Sequence, residues 1–165
     1  MSDTLAALVV FVPTFIAGLV LATLVEYWGH RLMHTTKFLR RKHANHHKMG
    51  RGQGWLLEFR DYGLPSVLGS LLGFLVSVPV GAGLVAAAVV YAAVAAYAHQ
   101  LQHERPHQVF WLKQPVHSVH HVYQEWEHNF GIVTDVWDKV FGTYRAHPTL
   151  PRVDDDRGMH QIHWI

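Results

Sequence analysis

Apolar and polar positions do not alternate along this chain; they segregate into blocks. From Leu5 to Val25 there are 21 residues without a charge, close to the ~20 that carry a helix across a bilayer core. Glu26 and the Tyr27-Trp28 pair close that block. A second block, Leu64 to Ala98, holds 35 uncharged residues; as one helix it would be ~50 Å long, well beyond a ~30 Å hydrocarbon core. Two spans joined by a tight turn fit better, near 64–78 and 80–98, with Pro79, Gly81 and Gly83 supplying the turn. The first of these is short, and tilt or a partly re-entrant hairpin also serves. Pro13 is expected as a tolerated kink in the first span. A signal peptide fits the first block poorly, because Asp3 stands where a basic cluster is expected and no convincing small-residue cleavage site follows.

Charge orients these spans. All 14 Lys and Arg lie outside them, and Lys37, Arg40, Arg41, Lys42, Lys48, Arg51 and Arg60 fall between the first block and the second. The positive-inside rule puts that loop, and everything after His99, on the cytoplasmic face. Trp28, Trp55, Tyr62 and Tyr97 fall near the expected interfaces, as an aromatic belt would. The expected architecture is an all-α integral membrane protein with about three to four transmembrane helices and a cytosolic helical cap. Three spans leave the N-terminus outside, and a fourth, interfacial segment around Trp55 to Tyr62 changes that count. Residues 1–147 form one membrane-embedded domain; 148–165, with its run Asp154 to Asp156, reads as a solvated tail.

Composition sharpens the picture at three points. Charged residues make up 16% of the chain, against roughly 25% in soluble domains. A formal charge of +2 without a basic stripe sets nucleic acid aside. The absence of cysteine removes disulfides, thiolate metal sites and iron–sulfur clusters. Any metal must then be held by nitrogen and oxygen, and histidine, at 15 residues, outnumbers Lys and Arg together. These histidines are dispersed, unlike a tag.

Their spacing is regular. His30 and His34 are four apart, and His43, His46 and His47 run i, i+3, i+4, so each set shares one helical face. The pattern repeats as His99 with His103, then His117, His120 and His121. A lone HxxxH is weak evidence; pair, triplet, pair, triplet from four segments on one side of a membrane is strong evidence for a metal centre. Ten imidazoles suit two ions of five or six coordination with positions left open. Imidazole alone does not choose among iron, zinc, copper and nickel, but zinc sites usually take four ligands, so an all-nitrogen pair fits dioxygen chemistry better than hydrolysis. A soluble carboxylate-bridged bundle is the rival suggested by Glu104 with His107 and Glu125 with His128. Pro106 breaks the first pair, and ten boxed histidines would be left idle. A non-enzymatic metal carrier should place polar ligands within the spans rather than at their ends.

HRLMH, HANHH, HQLQH and HSVHH, followed by HNFGIVTDVWDKVFGTY, resemble the fatty acid hydroxylase superfamily, membrane di-iron enzymes that include sterol desaturases and fatty acid 2-hydroxylases. The resemblance runs from Glu26 to Tyr144. It implies two iron ions bound by His30, His34, His43, His46, His47, His99, His103, His117, His120 and His121, with His128 as a further candidate ligand. Zinc can substitute in purified material. It also implies O2 and two electrons used to hydroxylate or desaturate a lipid C–H bond. With no haem, flavin or nicotinamide motif, the electrons are expected from a separate donor of ferredoxin or cytochrome type. Glu26, Asn129, Asp135 and Asp138 are candidate supports of the ligands, since metal-bound imidazole usually donates its other N–H to a carboxylate or carbonyl. The chain is smaller than many relatives; carotenoid hydroxylases have similar length but differently arranged boxes. His107, His147, His160 and His163 match no box and are expected at the surface.

Overall fold

The computed structural model describes residues 2–150 and Trp164, without the side chains of Phe38 and Lys42. All regular structure among the described residues is helical: α1 (Asp3–Thr35), α2 (Lys37–Met49), α3 (Trp55–Ser70), α4 (Val78–Glu104), α5 (Val116–Val122) and α6 (Val136–Val140). Asp154 to Asp156, His160 and His163 lie outside the described residues. Trp164 rests against Trp55, with ring centroids 5.5 Å apart.

α1 is capped by the Ser2 hydroxyl, which accepts from the Leu5 amide, and has Asp3 in its first turn. Its 33 residues make a rod of ~50 Å, so a ~30 Å bilayer core covers only part of it. Leu5, Leu8, Val12, Ile16, Val20 and Val25 stand exposed along its length. That surface needs apolar surroundings. The last three turns then lift His30 and His34 clear of the apolar section. Thr36, in an extended conformation, breaks the helix and lets α2 fold back. α2 in turn ends at Gly50, whose positive φ of 62° closes the αL cap just past the first histidine triplet.

α3 and α4 form an antiparallel hairpin against α1. α1 and α4 are each long and apolar enough to cross a membrane, whereas α3, at 16 residues, spans only ~24 Å. The expected interfacial segment 55–62 is therefore the first half of α3, continuous with the expected span. The turn also sits earlier than the glycines suggest. A five-residue 3-10 turn, Leu71–Leu75, leads to Ser77, whose hydroxyl caps α4 by accepting from the Val80 amide. Gly81 and Gly83 lie inside α4. They serve close approach: a Cβ on Gly81 would strike the Phe74 ring, and one on Gly83 would come 3.0 Å from the Phe11 carbonyl. The alanines of α4 act likewise, with Ala87, Ala92, Ala95 and Ala96 buried where α1 and α3 pack.

The chain beyond α4 folds over the histidine ends of α1 and α4. Trp137 of α6 donates to the Thr23 hydroxyl of α1 at 2.8 Å. The fully buried Tyr27 meets Thr143 at 2.9 Å.

Candidate metal centre

The four boxes converge at the end of the bundle, but they do not stay together as boxes. One group takes His30 and His34 from α1, His43 and His47 from α2, and His120 from α5; the other takes His46 from α2, His99 and His103 from α4, and His117 from α5. Within each group the ligand atoms lie within 4.8 Å of one another. Helical geometry explains the split. At roughly 100° per residue, His43 and His47 point ~40° apart while His46 points ~100° from His47, so α2 straddles the two groups. α5 does the same with His117 and His120. His121 sits at the junction, its ring 3.9 Å from that of His47 and 4.5 Å from that of His103.

The nitrogens are arranged as ligands would be. Nε2 of His34 lies 2.8 Å from that of His43 and 3.0 Å from that of His120, and Nε2 of His47 lies 2.9 Å from that of His43. In the second group Nε2 of His46 is 3.2 Å from those of His99 and His103, and His103 is 3.1 Å from His117. Metal–imidazole bonds of about 2.0–2.1 Å separate two nitrogens by ~2.9 Å at a right angle and by ~3.4 Å at a tetrahedral angle. The observed spacings, 2.8–3.2 Å, run from the right-angle value to just short of the tetrahedral one, and suit nitrogens that share an ion.

Proton accounting gives the same answer. A neutral imidazole has one N–H and one lone pair. His30 Nδ1 lies 2.6 Å from the Phe130 carbonyl and His120 Nδ1 lies 2.7 Å from the His128 carbonyl. A carbonyl only accepts, so these rings carry their proton on Nδ1 and turn an Nε2 lone pair inward. Nε2 of His30 and both nitrogens of His121 are buried without a hydrogen-bond partner. Lone pairs that face one another at 3 Å suit a shared cation. Burial first, then the neighbouring imidazoles, hold His43 and His47 at about 2 and His46 at about 3; burial takes His120 to about 4. All four are neutral at pH 7, as metal ligands must be.

Loops and glutamines fix these rings. Asp138 accepts from the amides of Phe130 and Gly131, both at 2.8 Å, and from the Thr143 hydroxyl at 2.7 Å. It thereby sets the Phe130 carbonyl that receives His30, acting one step behind the imidazole rather than on it. Burial raises the Asp138 carboxyl while these donors pull it back. The two glutamines of the HQLQH box also work: Gln102 donates to the Ile132 carbonyl and accepts from the His117 amide. Phe130 itself is buried, its ring 5.6 Å from His34 and 5.8 Å from His120.

The remaining expected residues fall elsewhere. Glu26 is buried nearby, but its carboxylate accepts from the Tyr91 hydroxyl and from the amides of Ile132 and Val133. Asn129, at φ 62°, ties its side chain to both backbone groups of Arg145. Asp135 pairs with Lys139 at 2.7 Å. His128 belongs to neither group; its ring faces Glu125 at 3.3 Å and its contribution is the carbonyl that receives His120. His107 is exposed, but His147 is not a plain surface residue, since it bonds Glu125 at 2.6 Å and stacks on Tyr123. Burial opposes ionisation of Glu125, yet His147 and Arg145 hold its carboxyl below the usual range.

One partner had no motif to announce it. Glu58 of α3, 4% exposed, lies 2.9 Å from Nδ1 of His99. Its only sequence signal is a lone acid in the apolar run WLLEF.

The sequence also matches a known family. The fatty acid hydroxylase family matches residues 15–143, which include every boxed histidine. The chain belongs to the fatty acid hydroxylase family. A curated relative, ornithine lipid hydroxylase OlsE of Rhizobium tropici, is 28% identical over 147 residues, covering 84% of this chain. The chain spans 44% of that relative's length. No solved structure matches the chain.

Proposed function

We propose that this member of the family is a membrane-embedded di-iron oxygenase that hydroxylates an unactivated C–H bond of a lipid, with O2 and two electrons from a separate protein. The observation that carries the reading is the pair of imidazole groups, with inward Nε2 atoms 2.8–3.2 Å apart, built on the ends of two membrane-length helices. His30, His34, His43, His47 and His120 hold one iron; His46, His99, His103 and His117 hold the other, with His121 between them. Iron bound there supplies activation of O2 and oxidation of the C–H bond. The protein supplies neutral, oriented imidazoles through the Phe130 and His128 carbonyls, and Phe130 screens one group from water.

The lipid approaches from the bilayer. A groove of about 280 Å³, lined by Leu21, Ala22, Val25, Pro65, Gly69 and Ala88, opens between α1 and the α3–α4 hairpin. Val25 lies five residues before His30, a rise of ~7.5 Å along α1. On the other side, α2 presents exposed Lys37, Arg40, Arg41 and Lys48 without an acidic residue. This is the cytoplasmic face by the positive-inside rule, and it suits an acidic ferredoxin or cytochrome. The Trp126 ring, 47% exposed, lies 4.7 Å from that of His47 beside it, tilted by 57°.

The test compares lipid extracts from cells expressing the protein or its His120→Ala variant, with a reductase system and isotopically labelled O2. A lipid carrying label only with the unaltered chain supports the reading. Label-free extracts from cells whose protein is iron-loaded and reduced would refute it.

A further inference from the structure

α3 brings no histidine to the centre, yet it is packed against α4 along its length. Gly63 faces Ala92 closely, with 3.4 Å between an added Cβ and the alanine methyl, and the Trp55 indole donates to the Ala93 carbonyl at 3.3 Å. What α3 delivers is Glu58. This residue sits in the first turn, its amide bonded to the Gly54 carbonyl, and its Oε1 both accepts from the Gln53 amide at 3.1 Å and faces His99 Nδ1 at 2.9 Å. Gln100, next to His99, holds the loop in place by accepting from the Gly54 amide. Both Glu58 and His99 are buried, at 4% and 5% exposure.

The two groups therefore differ in what stands behind their ligands. In the first, the outer nitrogens of His30 and His120 face neutral carbonyls. In the second, His99 faces a carboxylate. A carboxylate behind a metal-bound imidazole fixes its tautomer, raises its basicity and adds a negative charge to the site. We propose that Glu58 is a positioning residue for His99 whose charge makes the two metal sites inequivalent, so that the ion held by His46, His99, His103 and His117 is bound the more tightly. The inference rests on the two-iron reading above and assigns a different strength to each of its halves.

Ferrous iron, titrated anaerobically into the full-length protein in detergent against a competing chelator, tests this. Two backgrounds separate the sites: His43→Ala/His47→Ala dismantles the first group, and His99→Ala/His103→Ala dismantles the second. Glu58→Gln is expected to weaken the ion remaining in the first background by about 10- to 100-fold and to leave the ion of the second background unchanged. Glu58→Asp, which keeps the charge, should preserve the order of the two affinities and covers the case in which the glutamine variant fails to fold. Equal losses at both sites, or none, would overturn the role of Glu58. An unaltered chain that takes up fewer than two ions would overturn the two-iron reading, and this inference with it.

Discussion

The carbonyl of Phe130 receives the Nδ1–H of His30 at 2.6 Å across a hundred residues of chain, and Asp138 grips the amides on either side of that carbonyl. The inward Nε2 of His30 is thus aimed by a carboxylate that never touches it.

Removing that carboxylate should loosen both fold and site. Asp138→Ala leaves three donors without their acceptor, those of Phe130, Gly131 and Thr143, at roughly 1–3 kcal/mol for each that stays dry. A loss of about 2–4 kcal/mol in unfolding free energy is expected, with metal released in parallel. Asp138→Asn, which keeps one acceptor oxygen, should lose less. Denaturant unfolding with metal analysis reads both; unchanged stability in the alanine variant would remove the clamp from the account.

Gly131 makes a sharper test of the same strap. A Cβ there would collide with the Thr134 carbonyl and come 2.9 Å from Asp138 Oδ2. Backbone cannot yield as a side-chain tip can, so Gly131→Ala should cut metal content and yield of folded protein, whereas Gly29→Ala, with open space around it, should be silent.

Acid should unfold the metal-free protein in a defined window. His43, His46 and His47 at about 2 to 3, and His120 at about 4, stay neutral in the fold while an unfolded chain protonates them near 6.5. Folded pKa values below the unfolded value mean that the unfolded state binds more protons as pH falls. Stability is therefore fully present above about pH 6.5 and declines below it toward pH 4, by up to about 1.4 kcal/mol per pH unit for each imidazole. A series of unfolding midpoints from pH 8 to 4.5 checks this, and a flat profile would contradict it.

The groove predicts a separation of chemistry from metal binding. Leu21 is 53% exposed on its outer wall, so Leu21→Trp should fill the space without disturbing the core. Metal content should stay as in the unaltered chain while lipid turnover falls on the order of tenfold or more, as displaced reactants do. Undiminished turnover would place the substrate elsewhere.

Much of this site was legible because ligand spacing obeys helical periodicity: the ten boxed histidines do converge at one end of the bundle. Their partition was not. The i, i+3, i+4 spacing reads as one face, whereas the ~100° between His46 and His47 becomes a split once α2 packs between the two groups. Phe130 and His128 contribute carbonyls, which carry no residue signature, so the sequence offers the His128 ring as a further candidate ligand while the carbonyl that receives His120 goes unannounced. Glu26 has the right spacing from His30, but the Tyr91 hydroxyl and two amides reach its carboxylate. In the membrane part, Gly81 and Gly83 look like turn residues and prove to be contact surfaces, because absence of a Cβ serves both purposes.

Metal stoichiometry of protein purified anaerobically after expression with iron tests the central claim most directly. The account predicts two ions per chain, falling to about one in His43→Ala/His47→Ala and to about one in His99→Ala/His103→Ala. A single ion in the unaltered protein, or loss of all metal from either variant, would contradict two groups that each hold an ion of their own.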